Sequence, residues 1–138
     1  MNRRDFQQIA RIRAAEARSL LSAGHYAGAY YLTGYAVECA LKACIAKRVG
    51  RYDFPDRKLA NESYTHNLKE LLEGPAQLKQ LMQTAARADP FLAGNWTTVQ
   101  RWSEQSRYEQ RSQQEAEDLY NAAMDRQHGV FPWVRQYW

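Results

Sequence analysis

Hydrophobic positions recur at i, i+3 and i+4 through most of this chain, and no stretch alternates for long enough to predict a strand. The pattern predicts a first helix over residues 3–21, with Phe6, Ile9, Ala10, Ala17, Leu20 and Leu21 on one stripe. Arg3, Arg4, Arg11 and Arg18 decorate the other side and read as a solvated face. Ser22-Ala23-Gly24-His25 then breaks the pattern, with Gly24 as the stop. So short a turn implies an antiparallel hairpin with whatever helix follows.

That next stretch, residues 26–47 (YAGAYYLTGYAVECALKACIAK), is apolar or small on nearly every side, which predicts a central, buried helix. At about 100° per residue, Ala27, Gly34, Leu41 and Ile45 share a stripe, and Glu38 falls near its middle. Burying a lone carboxylate is costly, so Glu38 must have a partner. Lys42, one turn on, and the later pair Arg107–Tyr108 are the partners predicted for it.

Residues 49–63 contain Gly50, Pro55 and mixed charges and read as a loop, a candidate lid or specificity loop, with Tyr52 and Phe54 available to pin it. The helical pattern resumes near Thr65 with Leu68, Leu71 and Leu72, and Asn67 with Glu70 is spaced as a capping box. After Gly74-Pro75, Leu78, Leu81 and Met82 carry a stripe to about Arg87. Asp89-Pro90 reads as an N-cap and first helical residue opening at most a short turn before Gly94, and residues 95–111 read as an ordered loop. Ser112 and Glu115 form a second capping-box pattern ahead of Ala116, Leu119, Tyr120, Ala123 and Met124, a helix ended by His128-Gly129. A last short helix, entered through Pro132, carries Val130, Trp133, Val134 and Tyr137. The fold class predicted is all-α: an antiparallel up-and-down bundle of four long helices plus one or two short ones, forming a single domain over residues 1–138.

Composition adds limits. A hydrophobic share of 45% and 138 residues suit one globular core. The net charge of +4 permits a nucleic-acid or nucleotide partner without requiring one. Cys39 and Cys44 point about 140° apart on one helix and cannot bridge each other there, so they read as buried thiols in a reducing cytoplasm. No apolar run reaches the length of a membrane span and the charged start is no signal peptide, so a cytoplasmic protein is expected. There is no Gly-rich phosphate loop, and His25, His66 and His128 lack metal-ligand spacing, so neither cofactor nor metal is expected.

Three segments carry a family resemblance. The central hairpin, with Ala36, Glu38, Leu41 and Lys42 spaced as A-x-E-x-x-L-K, resembles the HEPN family (higher eukaryotes and prokaryotes nucleotide-binding). THNLKELLE is similar to that family's His-Leu-x-x-Leu helix start, and WSEQSRY to its Trp…Arg-Tyr signature before the last long helix. The resemblance implies an antiparallel helical bundle, frequent homodimers and one of two roles. Some members are metal-independent ribonucleases, often toxins, with an Arg-x(4–6)-His motif. Others lack that motif and bind nucleotides or RNA, or accompany nucleotidyltransferases in toxin–antitoxin settings.

The motif decides between them. The sole arginine with a histidine at that spacing is Arg18, with His25, in the first turn and away from the family's site. At the expected place Arg101 is followed seven residues later by Tyr108, and neither Arg107 nor Arg111 has a spaced histidine. Cleavage through a 2′-hydroxyl wants a general base that titrates near pH 7, and a tyrosine at about pH 10 substitutes poorly. The expectation is therefore a protein without nuclease catalysis that binds a nucleotide or RNA phosphate, or partners a nucleotidyltransferase or an antitoxin. The alternatives are a ribonuclease toxin using His66 or a shifted tyrosine, and a purely structural dimer built on the aromatic tail. The ligand candidates are Arg101, Arg107, Tyr108, Lys42, Glu38 and His66. Arg107 either forks a phosphate or turns inward to neutralise Glu38 with Tyr108 closing the bundle; Arg101 and Trp102 read as rim or surface positions, and His66 as a capping or hydrogen-bonding residue. Trp133, Tyr137 and Trp138 are expected in the core or at a dimer surface.

Overall fold

The computed structural model describes residues 1–49 and 57–138. Two long helices, α1 (Arg3–Ser22) and α2 (Tyr26–Arg48), form the predicted hairpin and share the largest interface in the molecule. The turn between them places Gly24 at φ +83°, a left-handed conformation that glycine adopts without strain, and His25 N–H donates to Leu20 O at 2.8 Å. α2 is the axis of the fold. It packs against α1, α4, α7, α8 and the 3₁₀ turn, and thirteen of its residues are buried. Its many alanines and glycines keep the cylinder thin, so neighbours on several sides approach it closely.

Part of the predicted 49–63 loop is helical: α3 (Arg57–Glu62) closes it, while Gly50, Tyr52, Phe54 and Pro55 lie outside the described residues. α4 (Leu68–Glu73) buries Leu68, Leu71 and Leu72 against the core. Only half of its expected capping box forms. Asn67 Oδ1 accepts from Glu70 N–H at 3.0 Å, but Glu70 turns its carboxylate to the Thr65 hydroxyl at 2.8 Å. α5 (Lys79–Ala88) buries Met82 but leaves Leu81 at the surface, narrowing the stripe predicted there.

The region after Asp89 corrects the sequence reading. A short turn and a loop were expected, but α6 (Pro90–Val99) runs a full ten residues through Gly94. Asp89 Oδ1 caps it, accepting from Phe91 and Leu92 N–H, and Leu92, Trp96 and Val99 bury one face. Interior glycine costs a helix about 1 kcal/mol, and burial of a single large side chain offsets that. Residues 95–111 are thus half helical, ending in a 3₁₀ turn (Glu104–Tyr108) capped by Ser103. α7 (Gln113–Met124) has both halves of the Ser112–Glu115 capping box and stops at Asp125, before the expected His128-Gly129. α8 (Val130–Arg135) follows.

The C-terminal aromatics belong to this chain's own core. Trp133 and Trp138 are buried, Phe131 meets the Trp138 ring edge-on, and Arg3 Nη2 donates to Trp138 O at 2.6 Å. Of the two places expected for them, core or dimer surface, both tryptophans take the core. Cys39 and Cys44 are free and buried, and burial pushes their thiols up to about 11 and about 12. The fold is all-α, with five helices of seven residues or more and, among the described residues, no strand. No described helix is long and apolar enough to cross a membrane.

Candidate functional site

Glu38 lies where α2 meets both the start of α4 and the 3₁₀ turn, at 1% exposure. Its Oε1 is 3.8 Å from Lys42 Nζ, one helical turn on, and 2.5 Å from Nδ1 of His66. The far side of that imidazole is also taken: Nε2 lies 2.8 Å from Glu104 Oε2. Glu104 Oε1 is in turn 3.8 Å from Arg107 Nη2. Lys42, Glu38, His66, Glu104 and Arg107 therefore form one chain of alternating basic and acidic groups, running from a buried helix to an exposed guanidinium. Local turns set its geometry. The Thr65–Glu70 hydrogen bonds present His66 just ahead of the Asn67 cap, and Ser103 with buried Ser106 fixes the turn that carries Glu104 and Arg107.

A ring nitrogen that donates needs a proton, and both nitrogens of His66 face carboxylates. The trio Glu38–His66–Glu104 is satisfied by two protons, one on Nε2 and one between Nδ1 and Glu38. Burial pushes the Glu38 carboxyl above its ordinary range, opposed by Lys42 and by the His66 hydrogen bond.

An aromatic ladder stands beside this chain. Trp102 is buried with its ring laid over Gly34, where a Cβ would come within 2.2 Å of ring carbons. Only glycine admits that approach. Tyr31 stacks on Trp102 at 6.1 Å and on Tyr35 at 6.0 Å, and the Arg13 guanidinium lies 6.0 Å over the Tyr35 ring. Arg107 sits 4.8 Å over the ring of Tyr108, which is 73% exposed. Phenol rings flanked by guanidinium groups offer stacking faces for bases and forks for phosphate.

Several expectations change here. Glu38 reaches Lys42 as predicted, but Arg107 does not turn inward: its link to Glu38 runs through His66 and Glu104, and Tyr108 closes nothing. Of the two structural roles expected for His66 the structure shows the hydrogen bond, to Glu38, while the cap of α4 falls to Asn67. Trp102 is core, not rim. Arg101 is separate from the others, lining a groove of about 490 Å³ between α6 and α7 with Phe91, Asn95, Asp118 and His128. Arg111 is committed to structure, stacked 4.2 Å over Tyr30 and paired with Glu109 and Glu115. Sequence reasoning missed Glu104, Tyr31, Tyr35 and Arg13. Tyr31 and Tyr35 are i, i+4 on α2 and were legible as a pair; nothing in the local sequence links Glu104 to a histidine thirty-eight positions earlier. Among the described residues no three His, Cys, Asp or Glu side chains are placed to hold a metal ion.

This is an all-α domain with a charged relay and an aromatic face on its central hairpin. Its sequence matches the family model of the HEPN domain over residues 4–135, nearly the whole chain. The protein belongs to the HEPN domain family, whose members are nucleotide-binding and ribonuclease-like domains. No curated protein and no solved structure matches it.

Proposed function

We propose that this HEPN domain binds single-stranded RNA or nucleotide phosphate on the face formed by Arg107, Tyr108, Tyr31 and Tyr35, without cleaving it. The observation that carries the reading is the double engagement of His66. With Glu38 on Nδ1 and Glu104 on Nε2, no ring nitrogen is free to take a proton from a 2′-hydroxyl, while Arg107 and Tyr108 remain outward. Homodimerisation and a nucleotidyltransferase or antitoxin partner belong to the same reading and rest on the family resemblance.

Fluorescence anisotropy with a short labelled oligouridine, and with ATP, tests it. Arg107→Ala and Tyr108→Ala should each weaken oligonucleotide binding about tenfold, in line with a lost charged contact or stacked base. Because both side chains are exposed, neither variant should shift the melting temperature. Equal binding by the wild type and both variants would sink the proposal.

One observation favours a second reading. Glu104 bridges His66 and Arg107, so an arginine and a histidine meet in space although no Arg-x(4–6)-His motif joins them in sequence. In that reading the protein is a metal-independent ribonuclease, and Glu104 must leave Nε2 before the ring can act as a base. Metal-free cleavage of the same oligonucleotide, abolished by His66→Ala, would select it.

A further inference from the structure

Glu104 faces two basic groups with its two oxygens, and it faces them unequally. Oε2 is 2.8 Å from His66 Nε2, a close contact, whereas Oε1 is 3.8 Å from Arg107 Nη2, a loose pair. The groups around it are few. α2 contributes Glu38 and Lys42, with Tyr35 and Cys39 on the same face; the 3₁₀ turn contributes Arg107; and Glu70 of α4 is turned away onto Thr65.

We infer that Glu104 gates Arg107: held by His66 it leaves the guanidinium open to phosphate, and released from His66 it closes on Arg107. This rests on the binding reading above and adds its regulation. Remove one of the two protons from the Glu38–His66–Glu104 trio, and one carboxylate must face a bare nitrogen lone pair. Glu38 cannot withdraw, since it is buried on a core helix between Lys42 and the ring. Glu104 can, because it sits at 27% side-chain exposure on a five-residue turn. The cation it meets on leaving is Arg107. The surrendered hydrogen bond is replaced by a guanidinium–carboxylate pair, and the phosphate fork is neutralised. Affinity for an anionic ligand should then fall as pH rises and the trio gives up one of its two protons.

Two measurements decide it. In the first, oligouridine affinity is followed between about pH 5 and pH 8, the range in which histidine ordinarily titrates. Wild-type affinity should fall about tenfold across that range. Glu104→Gln cannot neutralise Arg107 and should bind tightly with a flat profile; His66→Leu, which has no donor to hold Glu104, should bind weakly with a flat profile. A wild-type slope that persists unchanged in Glu104→Gln would overturn the inference. In the second, NMR follows the Glu104 side-chain carboxyl and the Arg107 guanidinium nitrogens in the free protein. Both should move together as pH rises across that range, and should stay still in His66→Leu. A His66 titration that leaves both signals unmoved would overturn the gate even if RNA binds. Should the wild type bind oligouridine at no pH, the binding proposal falls, and the NMR arm still decides whether Glu104 changes partners.

Discussion

Two histidines, His66 and His128, each set Nδ1 against a carboxylate, with the same chemistry and different character. His66 Nδ1 lies 2.5 Å from Glu38, and His128 Nδ1 lies 2.7 Å from Asp89. Glu38 is on the core helix, where desolvation outweighs Lys42 and His66 and lifts its carboxyl above the ordinary range. Asp89 is the N-cap of α6 at the surface. There the His128 hydrogen bond is the largest influence, and together with the Leu92 and Phe91 N–H groups it outweighs desolvation and holds the carboxyl low. The two histidines also differ on their far sides: His66 gives Nε2 to Glu104, whereas the His128 ring lies against the exposed ring of Phe91 at 5.0 Å. The same donor beside the same kind of acceptor therefore yields opposite shifts, and burial decides the sign. The first pair feeds an exposed arginine; the second ties α6 to the turn before α8.

That contrast can be broken in graded steps. The largest effect is expected from Trp102→Ala, which removes the indole lying over Gly34 beneath the first site. About 3–5 kcal/mol of stability should be lost, read by denaturant unfolding. Glu38→Ala should cost about 1–3 kcal/mol, less than a fully buried broken pair, because Lys42 and His66 are partly exposed and recover water. Glu38→Gln should cost clearly less than Glu38→Ala.

Opposite pH slopes should follow. Because folding raises the Glu38 value, its protonated form favours the fold: the wild-type advantage over Glu38→Gln should grow as pH falls and be lost as pH rises through the folded value. Because folding lowers the Asp89 value, the wild-type advantage over Asp89→Asn should be present at neutral pH and disappear in acid, below about pH 4. Melting temperatures at several pH values check both; parallel slopes would show that burial is not what separates the pairs. The smallest effects belong to the surface pair itself. Asp89→Ala should lower the melting temperature by less than Glu38→Ala, through the lost cap of α6, and His128→Ala by less again.

Much of the architecture was legible in order and type. The α1–α2 hairpin follows from a stripe, a glycine and a second stripe; α7 follows from Ser112, Glu115 and the apolar positions after them. α6 was not legible because Gly94 and two threonines hide a stripe, Leu92–Trp96–Val99, that only burial makes decisive. The same limit applies to the site. Glu38 announces a partner because a carboxylate on an apolar helix cannot stay unpaired, and Lys42 was found by spacing.

By itself, then, the sequence determined an all-α HEPN domain, its central helix, and the rule that Glu38 must be neutralised. Periodicity and the cost of burying charge are local properties, and residues a turn or two apart display them. Only the tertiary structure decided that His66 and Glu104, thirty-eight positions apart, would stand between Glu38 and Arg107. It also turned Tyr108 outward and the C-terminal tryptophans inward. Those choices depend on how helices pack around α2, and packing joins residues that no spacing along the chain connects.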